Sequence, residues 1–173
     1  MSYATPQNLL DWYGAKELAQ IATPDDLPLV SAPLLRLAIQ GEDLSGFSAE
    51  EQSAAQAALT RMVSALDAAS HLMDSYLNRR YPLPIATPEI ANSPLPQACG
   101  RLSRHLLYDD GIPFEVEQRY KQTISWLQEL AGGQVQIPAL LPPAFPSGVG
   151  LADAKPSTRI FDAASLAGFI GHE

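Results

Sequence analysis

The chain has 173 residues, of which 46% are apolar and 17% charged; that balance predicts one domain with a real core, in a chain that folds instead of staying disordered. Lys and Arg total 11 against 19 Asp and Glu, a net charge of -8, which argues against a general nucleic-acid binder, since such a protein needs a cationic footprint.

Residues 1–14, MSYATPQNLLDWYG, show no basic stretch followed by an apolar one, so no signal peptide is expected. No run approaches the roughly 20 apolar residues that span a bilayer. The expectation is a soluble chain made in a cytoplasm, with no membrane partner. Thr5 and Pro6 suit a helix cap and first helical position. The helix they open carries Leu9, Leu10 and Trp12 and is broken at Gly14. Lys16 to Ile21 adds a short helical turn.

Residues 23–47 hold prolines at 24, 28 and 33. A short helix with Leu34, Leu35, Leu37, Ala38 and Ile39 is expected after Pro33, ending near Gly41. Ser48 and Glu51 then form a capping box. The helix it announces is expected to run to about Arg80, roughly 45–50 Å at 1.5 Å per residue. Its apolar seam is Ala55, Leu59, Met62, Leu66, Ala69, Met73 and Tyr76. The segment DSYLNRRYPLP, Asp74 to Pro84, ends it, because Pro82 and Pro84 bias the residues before them out of the helical region. Arg79 and Arg80 thus fall where a helix exposes unsatisfied carbonyls, and they complement that C-terminus. The alternative is that they bind carboxylates of a neighbouring subunit or a phosphate backbone.

A loop is expected over 85–92. Ser93 and Pro94 start a helix to about Tyr108, with Leu95, Ala98, Cys99, Leu102 and Leu106 on one face. Asp109, Asp110 and Gly111 turn the chain. The next helix, about Phe114 to Ala131, shows Tyr120, Ile124, Leu127 and Ala131 on one side and ends at Gly132-Gly133. These two helices should each cover a flank of the long one. Beyond Gln134 the prolines at 138, 142, 143, 146 and 156 suggest an extended arm, residues 136–173, closing in a docking segment with Ile160, Phe161, Leu166 and Phe169. The fold expected is all-α: a small helical bundle, residues 1–135, around one long central helix, with an extended proline-rich C-terminal arm.

Motifs for chemistry are absent: no glycine-rich phosphate loop, no HExxH, no nucleophile elbow. The one cysteine, Cys99, allows no intrachain disulfide and is expected in the core. His105 and Asp109 are spaced for an i,i+4 surface hydrogen bond. No catalytic residue, metal site or cofactor is assigned, and no enzymatic activity is expected. Tyr76, Arg79, Arg80 and Tyr81 could stack on bases, though packing explains both tyrosines more simply.

Four segments, YATPQNLLDWYG, LDAASHLMDSYLNRRYPLP, CGRLSRHLLYDDG and RYKQTISWLQELAGGQV, occur in an order and spacing that resemble a Mu-like phage and prophage family. That family is similar to the head–tail connector, or adaptor, proteins of tailed phages. The resemblance spans roughly Tyr3 to Val135. It implies a virion protein at the head–tail junction, made in the bacterial host. It would dock as a homo-oligomeric ring, typically twelvefold, beneath the portal protein and receive a downstream neck or tail-completion protein. DNA would pass through the lumen without specific binding. The same resemblance makes Ser75 to Pro84 and Arg104 to Asp110 fold and interface positions. Residues 23–47 look like an insert that could form an extra lobe. The candidate interface residues are therefore Arg79, Arg80, Tyr81, Ile160, Phe161, Leu166 and Phe169. The competing reading is a small helical DNA-binding or packaging accessory protein.

Overall fold

The computed structural model describes residues 2–140. Among these, every regular element is helical: α1 (Pro6–Tyr13), α2 (Ala15–Ala22), α3 (Ala32–Gln40), α4 (Ala49–Leu77), α5 (Thr87–Ala91), α6 (Leu95–Leu107) and α7 (Phe114–Gly132), followed by a 3-10 turn, Pro138–Leu140. The all-α expectation holds. The four arm residues Ile160, Phe161, Leu166 and Phe169 lie outside the described residues.

The helix starts arise from local chemistry. Thr5 Oγ1 accepts from the Asn8 amide at 3.3 Å while the Asn8 side chain accepts from the Thr5 amide at 3.0 Å, and Pro6 fills the first helical position. Ser48 and Glu51 repeat the arrangement at α4, with bonds of 3.3 and 2.9 Å. Gly14 joins α1 to α2 at φ 78, a left-handed value that a side chain would strain, and its amide closes α1 on the Leu10 carbonyl.

Helix α4 has 29 residues, about 43 Å of strut. It packs chiefly against α6, with α3 and α7 as further neighbours, and α6 packs on α7. Because partners lie on more than one side, its buried surface is wider than one seam. Ala54, Ala58, Ala65 and Leu77 join Ala55, Met62, Leu66, Ala69 and Met73, while Leu59 and Tyr76 are only half-buried. The many alanines let neighbouring helices approach closely; the large side chains filling the space between include Leu9, Leu18, Leu35, Leu102 and Leu127, all fully buried. Each such leucine stabilises the fold by about 1.5–3 kcal/mol.

Several expectations are corrected. The long helix ends at Leu77, short of Arg80: the Asn78 amide makes its closing bond, to the Asp74 carbonyl at 3.0 Å, and the Arg80 amide then turns more tightly, onto the Leu77 carbonyl three residues back at 3.0 Å. Residues 23–47 form no separate lobe: Val30, Leu34, Leu35 and Ala38 are core, and α3 packs on α2 and α4. The expected loop over 85–92 contains α5, whose Ile90 is buried. On α6 it is Leu107 that is buried, in the row of Ser103 one turn earlier, while Leu106 is 43% exposed. On α7 the buried residues are Val116, Thr123, Leu127 and Leu130, and Ala131 is only half-buried. Ile137 and Leu140 are also core. The chain after α7 therefore begins as packed structure, and the boundary expected at 135/136 falls inside it.

The N-terminal residues are tied to the strut by polar bonds. The Tyr3 amide donates to Ser70 Oγ at 3.1 Å, and the Tyr3 hydroxyl donates to the Asp74 carboxylate. Ser70 Oγ also donates to the Leu66 carbonyl at 2.8 Å and lies 3.5 Å from Cys99 Sγ. Burial pushes the Cys99 thiol above its ordinary pKa, as expected of a core cysteine.

Candidate interaction surfaces

At the foot of α4, Arg79 and Arg80 are exposed and Tyr81 is buried, at 5% exposure. Tyr81 is thus a core residue, contrary to its expected place on a mating surface: its hydroxyl accepts from the Ile137 amide at 3.1 Å. Pro82 keeps Tyr81 from resuming the helix that ended at Leu77. The Arg80 guanidinium lies against Gly133, the residue that caps α7 at φ 77. It therefore stands at the negative end of α7, as well as beyond the end of its own helix. Arg79 makes no ion pair among the described residues.

The end of α6 is held by a second polar set. Arg104 Nε meets Glu17 Oε1 at 2.6 Å, and the Tyr108 hydroxyl donates to the same oxygen at 3.1 Å. The Arg104 guanidinium also lies over the Tyr13 ring, 4.7 Å from its centroid. Asp109 pairs with Arg61 at 2.7 Å. The expected His105–Asp109 bond is absent, because the imidazole instead stacks on Tyr120 at 4.0 Å and 19°. Burial holds His105 below its ordinary pKa, which favours the neutral ring in that stack. These residues clamp α6 to α2, α4 and α7.

A groove that the sequence did not announce runs between α1, α6 and α7. One part, of about 360 Å³, is lined by Asp11, Trp12, Tyr13, Gln97, Arg101 and Arg119. A second part, of about 200 Å³, shares Gln97 and Arg101 and reaches Trp126. Trp12 sits in a slot made by Gly100: a Cβ there would stand 2.5 Å from its ring. The guanidinium charges of Arg104, Arg101 and Arg119 all act on the Tyr13 phenol, opposing the rise in pKa that its burial causes. No sequence window shows this cluster, because its members come from three helices up to 114 positions apart, Trp12 to Trp126. Among the described residues, no group of three His, Cys, Asp or Glu side chains converges as a metal site, and no helix is long and apolar enough to cross a membrane.

Comparison with known proteins places the chain. Residues 3–142 match the family described as Bacteriophage Mu, Gp36. The Mu-like prophage FluMu protein gp36 of Haemophilus influenzae is 32% identical over 77 residues, covering 44% of this chain and 52% of that protein. The matched stretch thus spans about half the length of this relative. With four-fifths of its length matched, from the N-terminal Tyr3 through α7 and the turn beyond it, the chain belongs to the bacteriophage Mu Gp36 family.

Proposed function

We propose that this phage protein is a head–tail connector: a structural subunit that assembles as a ring beneath the portal protein, extends the DNA channel and receives the next neck or tail protein. The observation that carries the reading is family membership across residues 3–142. The architecture supports it. A helical strut of about 43 Å can transmit contact from one end of the subunit to the other. A net charge of -8 gives a lumen that repels the phosphate backbone instead of gripping it. A ring of such subunits uses a heterologous interface that closes by rotation. Arg79, exposed at the foot of the strut, is the described candidate for that interface. No catalytic role is assigned to any residue.

The test is genetic and microscopic. A Mu-like phage lacking this gene should accumulate filled heads and separate tails that do not join, and antibody against the chain should label the junction in complete particles. Infectious particles of normal form without the polypeptide would overturn the reading.

A further inference from the structure

We propose that the groove between α1, α6 and α7 is a docking site for an acidic, apolar-interleaved peptide segment of a partner protein. Both tryptophans of the chain, Trp12 and Trp126, line it, each half-buried and so with ring surface left for a ligand. Between them stands Arg101, common to both parts of the groove, with Arg119 beside it. Both arginines are exposed, and neither makes an ion pair among the described residues. Arg104, at the groove's inner edge, is already engaged by Glu17 and Tyr13. The cationic capacity left for a ligand is therefore that of Arg101 and Arg119.

Charge complementarity selects the occupant. In a chain of net charge -8, two guanidinium groups that line one groove without an ion pair among the described residues suit carboxylates through paired N–H donors. Aromatic rings line the same groove, so the fitting ligand carries both: carboxylates for the arginines and apolar side chains between them for the rings. Tryptophan, tyrosine and arginine are also the residues that dominate binding energy at protein interfaces. A nucleic-acid backbone fits less well. It brings a continuous row of charge, of which two arginines can meet only a part, in a chain whose net charge of -8 repels the rest. Asp11, also in the lining, makes no ion pair with either arginine and accepts from Gln7 on its own helix at 2.8 Å, so both guanidinium groups keep N–H donors for a ligand's carboxylates. The inference concerns this surface alone and holds whatever the protein's place in the particle.

The two tryptophans make the groove its own reporter. The full chain would be titrated, following tryptophan emission, with an acetylated Glu-Leu-Asp repeat peptide, its Gln-Leu-Asn counterpart, and a short oligothymidylate. The expected result is a saturable emission change with the acidic peptide only, weakened by added salt and at least tenfold by Arg101→Ala or Arg119→Ala. Circular dichroism of both variants confirms that they fold, and Lys121→Ala, on α7 but outside the groove lining, should leave the titration unchanged. Tighter binding of the oligonucleotide, equal binding of the neutral peptide, or no emission change at all would overturn the proposal. So would an emission change that depends on protein concentration alone, which would make a second copy the occupant.

Discussion

The guanidinium of Arg80 fills the space in which a side chain on Gly133 would stand: a Cβ at 133 would overlap Nη1 and lie 2.7 Å from Cζ. Two chain reversals, one after α4 and one after α7, are thereby fitted to one another through a glycine. Gly133→Ala meets two obstacles, the left-handed φ of 77 and the arginine itself. The backbone alone costs about 1–2 kcal/mol. The guanidinium is the far end of an exposed, flexible side chain and can swing aside, so the expected outcome in urea unfolding is a loss of about that size, the same in an Arg80→Ala background. A markedly smaller loss in that background would show that the guanidinium is held in place.

Tyr81 governs the packed segment beyond α7. Its hydroxyl is the acceptor for the buried Ile137 amide, and Tyr81→Phe leaves that amide without a partner at a cost of about 1–3 kcal/mol. The loss should be local before it is global. Hydrogen exchange of Ile137 and Leu140 should accelerate well beyond that of residues in the middle of α4. Uniform acceleration across the molecule would mean that the segment unfolds only with the whole.

The contrast between these two residues explains what could be read from sequence. Pro82 announces the end of the helix through a purely local clash, and the Ser48–Glu51 capping box announces its start in the same way. The place of Tyr81 inside the molecule depends on Ile137, which is 56 positions away, and no local rule couples them. Helix α5 escapes a sequence reading because five residues are too few to show a period. The shift from Leu106 to Leu107 on α6 has a tertiary origin, since the buried row is set by what α4 presents. His105 and Asp109 have the right spacing to bond, yet Tyr120 and Arg61 offer each a better partner from another helix. The groove lies furthest from the sequence: Trp12, Arg101 and Arg119 are each unremarkable in their own windows.

Alkaline pH should unfold the protein through groups that the fold keeps neutral. Tyr3 is the strongest case. Burial raises its phenol above the ordinary value, and the hydrogen bond to Asp74 raises it further. A folded-state pKa above the unfolded one contributes stability that is fully present below the unfolded value and lost as pH rises through the folded one. The window opens near pH 10 for the phenols, and burial of Cys99 adds a thiol that begins near pH 8.5. Urea midpoints should therefore be level between pH 7 and 8 and fall above pH 9. Tyr3→Phe should lower the midpoint at pH 7 and flatten the alkaline decline. An unchanged slope in the variant would assign the decline to other groups.

Gly100 tests the seat of Trp12, and through it the groove. In a helix, Gly→Ala ordinarily gains up to about 1 kcal/mol from propensity. At position 132, where a Cβ meets nothing within 4 Å, that gain should be realised in part. At position 100 the new carbon would stand 2.5 and 2.7 Å from the Trp12 ring, and overpacking of this kind costs about 1–3 kcal/mol. The expected sign is therefore opposite at the two glycines: Gly132→Ala neutral to stabilising, Gly100→Ala destabilising. Tryptophan emission separates packing from helix propensity, because an indole displaced towards the groove becomes more exposed to solvent. Gly100→Ala should shift the emission to longer wavelength and weaken the acidic-peptide titration while Arg101 and Arg119 remain in place. A stabilised Gly100→Ala protein with unchanged emission would mean that Trp12 has room to retreat inward, and that the slot in α6 does not set the shape of the groove.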